Sequence, residues 1–281
     1  NLATQHLEGV ELIAANTDAR ALERCVVSKK LLLGSDGLSA GANVDVGRRA
    51  ACDSREKIVE ALKGAHLVFI VASLGAGTGT GAGPVIAKTA NELGMFTIGL
   101  AIYPFRFEGR CCSNADAGIP VWEKELSSLI VLSNDQLAEL CDEHMPMIDV
   151  FGVMNQLCCD AIRGAVEILC FPSLVNMSIC QVGAAIAGEG TMSSGCACGP
   201  NRARIATERA LSLQLSKGLL AADARSVLLL VTAARGIKQK EVNHVISAAR
   251  FAVAPGSKLF LGTTYDDTLG DSIRVTLFAV R

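Results

Sequence analysis

Between Leu74 and Pro84 the chain reads LGAGTGTGAGP, with glycine at every second position from Gly75 to Gly83 and Thr78 and Thr80 between them. A nearly all-apolar run, His66 to Leu74, precedes it and has the composition of a strand buried on both faces. After it, Val85 to Leu93 carries apolar residues at helical spacing and stops at Gly94, which predicts a helix with Pro84 near its first turn. A strand, a glycine turn and a helix start together aim several backbone N–H groups and the positive end of a helix dipole at one point, and that point suits a phosphate. Gly75, Gly77, Gly79 and Gly81 let the backbone approach closely, with Ala76 between the first two, and the hydroxyls of Thr78 and Thr80 add donors. The plain alternative is a glycine-rich turn without a ligand.

Two common phosphate loops fit these letters poorly. The Walker loop needs Gly-Lys-Ser/Thr, and the first lysine after the glycines is Lys88. The dinucleotide pattern G-x-G-x-x-G/A is met by Gly77, Gly79 and Ala82, but it also wants an acid at the end of the next strand to hold a ribose. That strand, predicted over Phe96 to Tyr103, ends in Tyr103-Pro104, and the first acid beyond it is Glu108. A dinucleotide-dependent oxidoreductase is therefore the runner-up reading.

Other polar groups fall where strands end. A predicted strand, Val10 to Ala15, runs into Asn16-Thr17-Asp18, and Thr17 or Asp18 could instead cap a helix over Ala19 to Arg24. Leu31 to Leu33 reads as a short strand ahead of Ser39-Ala-Gly-Ala-Asn43, and helices follow over Val44 to Gly64, with Arg48 and Arg49 solvated. Ile130 to Asp135 is a strand ending in Asn134 and Asp135. A long helix is predicted from Met147 to about Leu169; Asn155 falls on its apolar side, where an amide needs a partner.

Composition limits the function classes. At 281 residues the chain suits one large or two ordinary domains. Its net charge of −2, without long runs of one sign, leaves no electrostatic footprint for nucleic acid. Half of the residues are apolar, yet no apolar run approaches the roughly 18 needed to cross a bilayer, so a soluble, cytoplasmic protein is expected. Eleven cysteines contain no C-x-x-C pair and the four histidines no H-x-x-x-H, which argues against zinc and for reduced, mostly buried thiols.

With these residues in view, GAGTGTGAGP resembles the GGGTGTGAAP loop of the tubulin and FtsZ superfamily almost letter for letter. The resemblance extends over nearly the whole chain. Ala15 to Ala19 is similar to the segment that lines the nucleotide through Asn16. Ser39 to Asn43 resembles the family's GAGAN loop near the terminal phosphate, which would involve Gly41, Ala42 and Asn43. Tyr103 to Arg110 looks like KPFxFEG, which implies contacts from Pro104 and a ribose hydroxyl on Glu108. The arginine usually found four residues after that glutamate falls at Cys112, leaving Arg110 as the nearest substitute. By the same resemblance Asn134 would hold the guanine, Phe151 would lie on the purine face and Asn155 on its hydrogen-bonding edge; Phe151 reads equally well as core.

The implied fold is α/β: a two-domain, tubulin/FtsZ-like architecture with a mostly parallel, Rossmann-like nucleotide-binding sheet over residues 1–146. A central helix over 147–170 leads to a smaller α+β domain over 171–281. In that last domain the residues predict a turn at Gly195 to Pro200, helices over Arg202 to Ser212 and Lys240 to Ala252, and strands over Ser226 to Ala234, Lys258 to Thr264 and Ile273 to Val280. The family has a first strand and a second glycine-rich loop that find no counterpart ahead of Asn1 to Leu7, itself read as the tail of a helix. The sequence is thus expected to be incomplete at its amino end, since a parallel sheet without its central strand leaves backbone groups unpaired.

The implied function is a GTP- and GDP-binding protein of cell division that assembles head to tail with itself, with Mg2+ accompanying the nucleotide and no side-chain metal ligands. Division-protein partners and indirect attachment to a membrane through an anchor, at the division site, belong to the same picture. One departure bears on catalysis. Phe171 to Val182 lines up with the family's catalytic loop, N-x-D-x-x-D, in which Asn176 is kept but Ser178 and Gln181 replace both acids. Hydrolysis at the subunit interface is expected to be weakened, or absent in a nucleotide-gated scaffold, since a positioned base typically supplies about 10²- to 10⁴-fold in rate.

Overall fold

The computed structural model describes residues 10–170, 173–175, 178–212 and 224–281. The segment Asn1 to Leu7 and Asn176 lie outside the described residues. Two compact units follow one another, Val10–Asp135 and Gln136–Arg281.

In the first unit, parallel strands alternate with helices. Strand β1 (Ile13–Asn16) leads through α1 (Ala19–Arg24) to β2 (Lys29–Leu32), and the two strands pair in parallel. Helices α2 (Val44–Asp53) and α3 (Arg55–Leu62) precede β3 (Leu67–Ser73), α4 (Gly77–Glu92), β4 (Phe96–Tyr103), α5 (Arg110–Glu125) and β5 (Ser128–Ser133). Strand β4 lies between β3 and β5, parallel to both. Among the described residues β1 and β2 form one sheet and β3 pairs elsewhere. Leu33, Ile58, Ile70, Leu74, Trp122 and Leu129 belong to the apolar core of this unit.

The glycine stretch is a helix, where a loop was expected. Helix α4 starts at Gly77 and contains Pro84 in its interior. Within the stretch only Gly75, at φ +97°, uses the left-handed region. The other glycines are there because their neighbours leave no room. A Cβ on Gly77 would lie 2.4 Å from the Asn43 carbonyl oxygen, and one on Gly81 2.1 Å from that of Val44. Four residues apart, these two share the face against α2. Gly79 would meet the Ser73 carbonyl at 2.2 Å and Gly83 the Trp122 ring at 2.0 Å.

Pro84 has no N–H for the Thr80 carbonyl, the bond an interior helical residue would make. The indole Nε1 of Trp122 on α5 donates to that carbonyl instead, at 3.2 Å. A neighbouring helix thus satisfies the group that the proline leaves open.

The second unit contains most of α6 (Asn134–Leu140), then α7 (Met147–Cys170), β6 (Ser173–Val175), α8 (Ile179–Ile186), β7 (Gly188–Cys198) and α9 (Arg202–Ser212). It closes with β8 (Ser226–Ala233), α10 (Gln239–Ala252), β9 (Lys258–Tyr265) and β10 (Ser272–Val280). Strand β10 runs antiparallel between β7 and β8, β9 is parallel to β8, and β6 pairs antiparallel with β9. The turn expected at Gly195 to Pro200 is largely strand: β7 runs on to Cys198, and Gly195 faces α9, where a Cβ would sit 2.1 Å from the Ala206 carbonyl oxygen. Helices α9 and α10 are tied by Arg202, whose Nε and Nη2 reach the two carboxylate oxygens of Glu241 at 2.6 and 3.1 Å.

Of the nine cysteines described, all free, only Cys158 and Cys159 are buried, contrary to the expectation of mostly buried thiols; Cys52, Cys196 and Cys198 are exposed. Burial pushes the Cys158 thiol up to about 12. Among the described residues no group of His, Cys, Asp and Glu is arranged to hold a metal, and no helix is long and apolar enough to cross a membrane.

Candidate nucleotide site

The carboxyl ends of the parallel strands in the first unit carry the candidate residues, the position at which open α/β sheets bind ligands. Three loops meet there. After β1, Asn16 Oδ1 accepts the Asp18 N–H at 3.1 Å, and Asp18 caps α1 by accepting from Arg20 and Ala21. Thr17 is 2% exposed, and its hydroxyl reaches the other two loops. It accepts the Ala40 N–H at 3.1 Å and lies 2.8 Å from the hydroxyl of Thr78. After β2, Gly41 stands at φ +56° and its carbonyl accepts the Gly77 N–H at 2.7 Å. Asn43 caps α2, accepting from Asp45 and Val46.

The third loop opens α4. Its N-cap is Ala76, extended and without a side chain to cap the helix, and the first turn holds no acid. The amides of Thr78 and Gly79 therefore lack the partner that an N-cap side chain supplies, which leaves them for an anion. The two threonines do more within the protein than donate outward. The Thr80 hydroxyl turns inward to accept the Gly75 N–H at 2.8 Å and is 2% exposed, while Thr78 is joined to Thr17. An uncapped helix end with glycine backbone around it fits a phosphate group.

Beyond β4, Pro104 is buried, and Glu108 Oε1 accepts the Phe105 N–H at 3.0 Å, closing its own turn. Arg110 opens α5 and is exposed. Cys111 abuts the glycine turn, its Cβ standing 2.6 Å from where a Cβ on Gly75 would be. Burial first, and then the Glu108 carboxylate, raise its pKa. After β5, Asn134 is 7% exposed, and Asp135 accepts the Arg106 N–H at 3.0 Å, which ties the ends of β4 and β5 together. Two residues at this end of the fold escaped the sequence reading. They are Trp122, described above, and Asn114, whose Nδ2 donates to the carbonyls of Ala42 and Gly75 at 3.0 and 2.9 Å. An asparagine inside a helix, where its propensity is poor, was the available signal.

In the second unit Phe151 is 44% exposed on α7 and Asn155 is exposed as well, so its amide does not face an apolar side as expected. Ser178 caps α8: its hydroxyl accepts the Gln181 N–H at 3.2 Å, and Gln181 Oε1 accepts the Ser178 N–H at 2.9 Å. Both side chains are turned onto this local cap.

Comparison with known proteins gives one answer. The Tubulin/FtsZ family GTPase domain matches residues 3–142, and the FtsZ family C-terminal domain matches residues 188–280. The cell division protein FtsZ of Neisseria meningitidis serogroup A is 36% identical over 287 residues, covering 99% of this chain and 73% of that protein. Among solved structures, the empty FtsZ dimer of M. jannaschii superposes with a TM-score of 0.90 at 30% identity, over 100% of this chain and 83% of that one. CetZ2 from Haloferax volcanii, a GTPγS-bound protofilament, shares the fold at a TM-score of 0.76 and 20% identity, over 95% and 83%. This closes the dinucleotide reading: the chain belongs to the FtsZ family of cell-division GTPases within the tubulin/FtsZ superfamily, a family of guanine-nucleotide-binding proteins.

Proposed function

We propose that this chain binds GTP and GDP at the strand ends of its first unit and assembles head to tail with copies of itself, hydrolysing GTP weakly or not at all. The observation that carries the weak hydrolysis is the reciprocal cap between Ser178 and Gln181. A general base must hold a lone pair toward the attacking water and take its proton. A serine hydroxyl and a side-chain amide are too weakly basic at neutral pH to take that proton, and here the acceptor oxygens of both are engaged in starting α8. The Gln181 amide nitrogen could still orient a water, a role glutamine plays in other GTPases.

In this reading Gly75 to Gly81 cradle phosphates with backbone N–H groups, and Asn16 and Gly41 to Asn43 flank them. Pro104, Glu108 and Arg110 serve the ribose and phosphates, while Asn134, Phe151 and Asn155 serve the base. Mg2+ accompanies the nucleotide, because no lysine in the glycine stretch neutralises its charge. Head-to-tail contacts do not close and give open polymers. A filament that keeps its GTP is stable and acts as a scaffold, in the cytoplasm at the division site, reaching the membrane through an anchor protein.

Phosphate release and sedimentation of the full-length protein with GTP, followed against protein concentration, test this reading. Expected is pelleting with little release, and about 10²-fold faster release in Ser178→Asp combined with Gln181→Asp. Steep phosphate release by the unaltered protein above a critical concentration overturns the weak hydrolysis. Absence of both GTP binding and pelleting overturns the function.

A further inference from the structure

Asn114 lies in the second turn of α5, on the first unit, with two carbonyl oxygens from different loops within reach of one nitrogen. Because both partners are acceptors, the side-chain amide faces them with its NH2, whose two hydrogens supply one bond each. Gly75 belongs to the turn before α4 and Ala42 to the loop before α2, so one side chain bridges the two backbone segments at the uncapped helix end.

The bridge fixes orientation. A trans peptide is planar, with its C=O and the following N–H pointing opposite ways. Holding the Gly75 oxygen against α5 therefore turns the Ala76 N–H away from α5. The N–H so turned belongs to Ala76, an exposed residue between buried Gly75 and Gly77. Gly75 at φ +97° has the rotational freedom to present the opposite face, and Asn114 removes it. The same nitrogen holds the Ala42 carbonyl, and the Asn43 N–H that follows is bonded to the Ala40 carbonyl at 3.1 Å, so the Ala42–Asn43 peptide is held from both sides.

Simple cohesion does not need this residue. Gly77 N–H to Gly41 O and the Thr17–Thr78 contact already join the loops, and Trp122 already joins α5 to α4, with Gly118 packed so closely on Thr80 that a Cβ would lie 2.4 Å from its methyl group. What Asn114 adds is the direction of two peptide groups. We propose that Asn114 is a positioning residue of the phosphate site, setting the Gly75–Ala76 peptide so that its N–H faces an anion and holding the Ser39–Asn43 loop beside it. This rests on the nucleotide reading above.

The test is titration calorimetry with GDP on the full-length protein and on Asn114→Leu, which keeps the bulk and loses the donors. Asn114→Gln, which keeps the NH2 on a longer arm, is measured beside them. Thermal unfolding without nucleotide is the second readout. Expected is a Kd raised about tenfold in Asn114→Leu, a Tm lowered by about 2–6 °C as two carbonyls lose their donor, and partial recovery of affinity in Asn114→Gln. If Asn114→Leu does not fold, Asn114→Ser, too short to reach either carbonyl, is read in the same way. Unchanged affinity in the donor-free variant overturns the proposal while leaving the nucleotide reading intact. So does a joint loss of Tm and affinity that Asn114→Gln does not restore, which marks structural support only. Failure of the unaltered protein to bind GDP overturns the nucleotide reading, and the role of Asn114 with it.

Discussion

Trp122 Nε1 donates to the Thr80 carbonyl that Pro84 cannot serve, and this makes two distant residues energetically dependent. Replacing Trp122 by Phe leaves a buried carbonyl without a donor, at a cost of about 1–3 kcal/mol. In the Trp122→Phe background, Pro84→Ala restores an N–H at the helical position for Thr80 and is expected to recover part of that loss. In the unaltered protein the same change finds the carbonyl already bonded. Urea denaturation of the four combinations measures the coupling; additivity within about 0.5 kcal/mol would remove this account of Pro84. Thr17 is the other residue whose contacts exceed its neighbourhood. Thr17→Val, nearly the same shape, unlinks Ala40 and Thr78 at once and is expected to destabilise the protein by about 1–3 kcal/mol in the same assay.

At the scale of elements, α2 and α4 pack through bare backbone. A Cβ on Gly47 would stand 2.1 Å from the Gly77 carbonyl oxygen, and one on Gly81 equally close to that of Val44. Carbonyls inside helices cannot swing away as a side-chain end would. Gly47→Ala or Gly81→Ala must therefore separate the helices, at a cost of about 1–3 kcal/mol or more, with weakened GDP binding because Gly77 and Gly41 part as well. Thermal unfolding and calorimetry check both effects. In the second unit, α9 and α10 depend on pH through Arg202 and Glu241. The hydrogen bond from the Arg202 guanidinium holds the Glu241 carboxyl below its ordinary range, and the arginine is correspondingly raised. The folded state thus binds this proton less tightly than the unfolded state. The stabilisation is complete above the unfolded value near pH 4.3, about that of a free glutamate, and is lost as pH falls through the lower folded one. Glu241→Gln is expected to lower stability at neutral pH and to flatten the acid limb of the stability profile, measured by denaturation between about pH 2 and 6.

For the whole molecule, the reading to be decided is turnover against persistence. A head-to-tail polymer needs the nucleotide at one end of the subunit and a complementary surface at the other. With Ser178 and Gln181 closed on the start of α8, polymers formed with GTP are expected to outlast those of an acid-bearing variant after dilution. Light scattering after dilution measures this, and equal disassembly times would show that the cap does not limit turnover.

Much of this was legible in the chain, for local reasons. Helix α9 over Arg202–Ser212 and strand β4 over Phe96–Tyr103 coincide with the expectation residue for residue, because their apolar periodicity and end residues are local chemistry. The family, too, was legible, since the alternating glycines and threonines are a linear pattern. Other features needed neighbours distant in sequence. The glycines read as a loop because glycine signals either positive φ or lack of room, and the letter does not say which. Only the approach of Asn43, Val44, Ser73 and Trp122 decides for lack of room, and so for a helix through Pro84. Gly195 in β7 is the same ambiguity, decided by α9. By periodicity Asn155 faces an apolar side, yet it is exposed, and by composition the cysteines are core residues, yet most of those described reach solvent, because burial belongs to packing and not to residue type. By itself the sequence determined which segments fold, in what order, and to which family they belong. Only the tertiary structure decided what stands opposite each small residue, and with it the roles of Thr17, Asn114 and Trp122, since a hydrogen bond over 42 to 72 positions leaves no mark on local spacing.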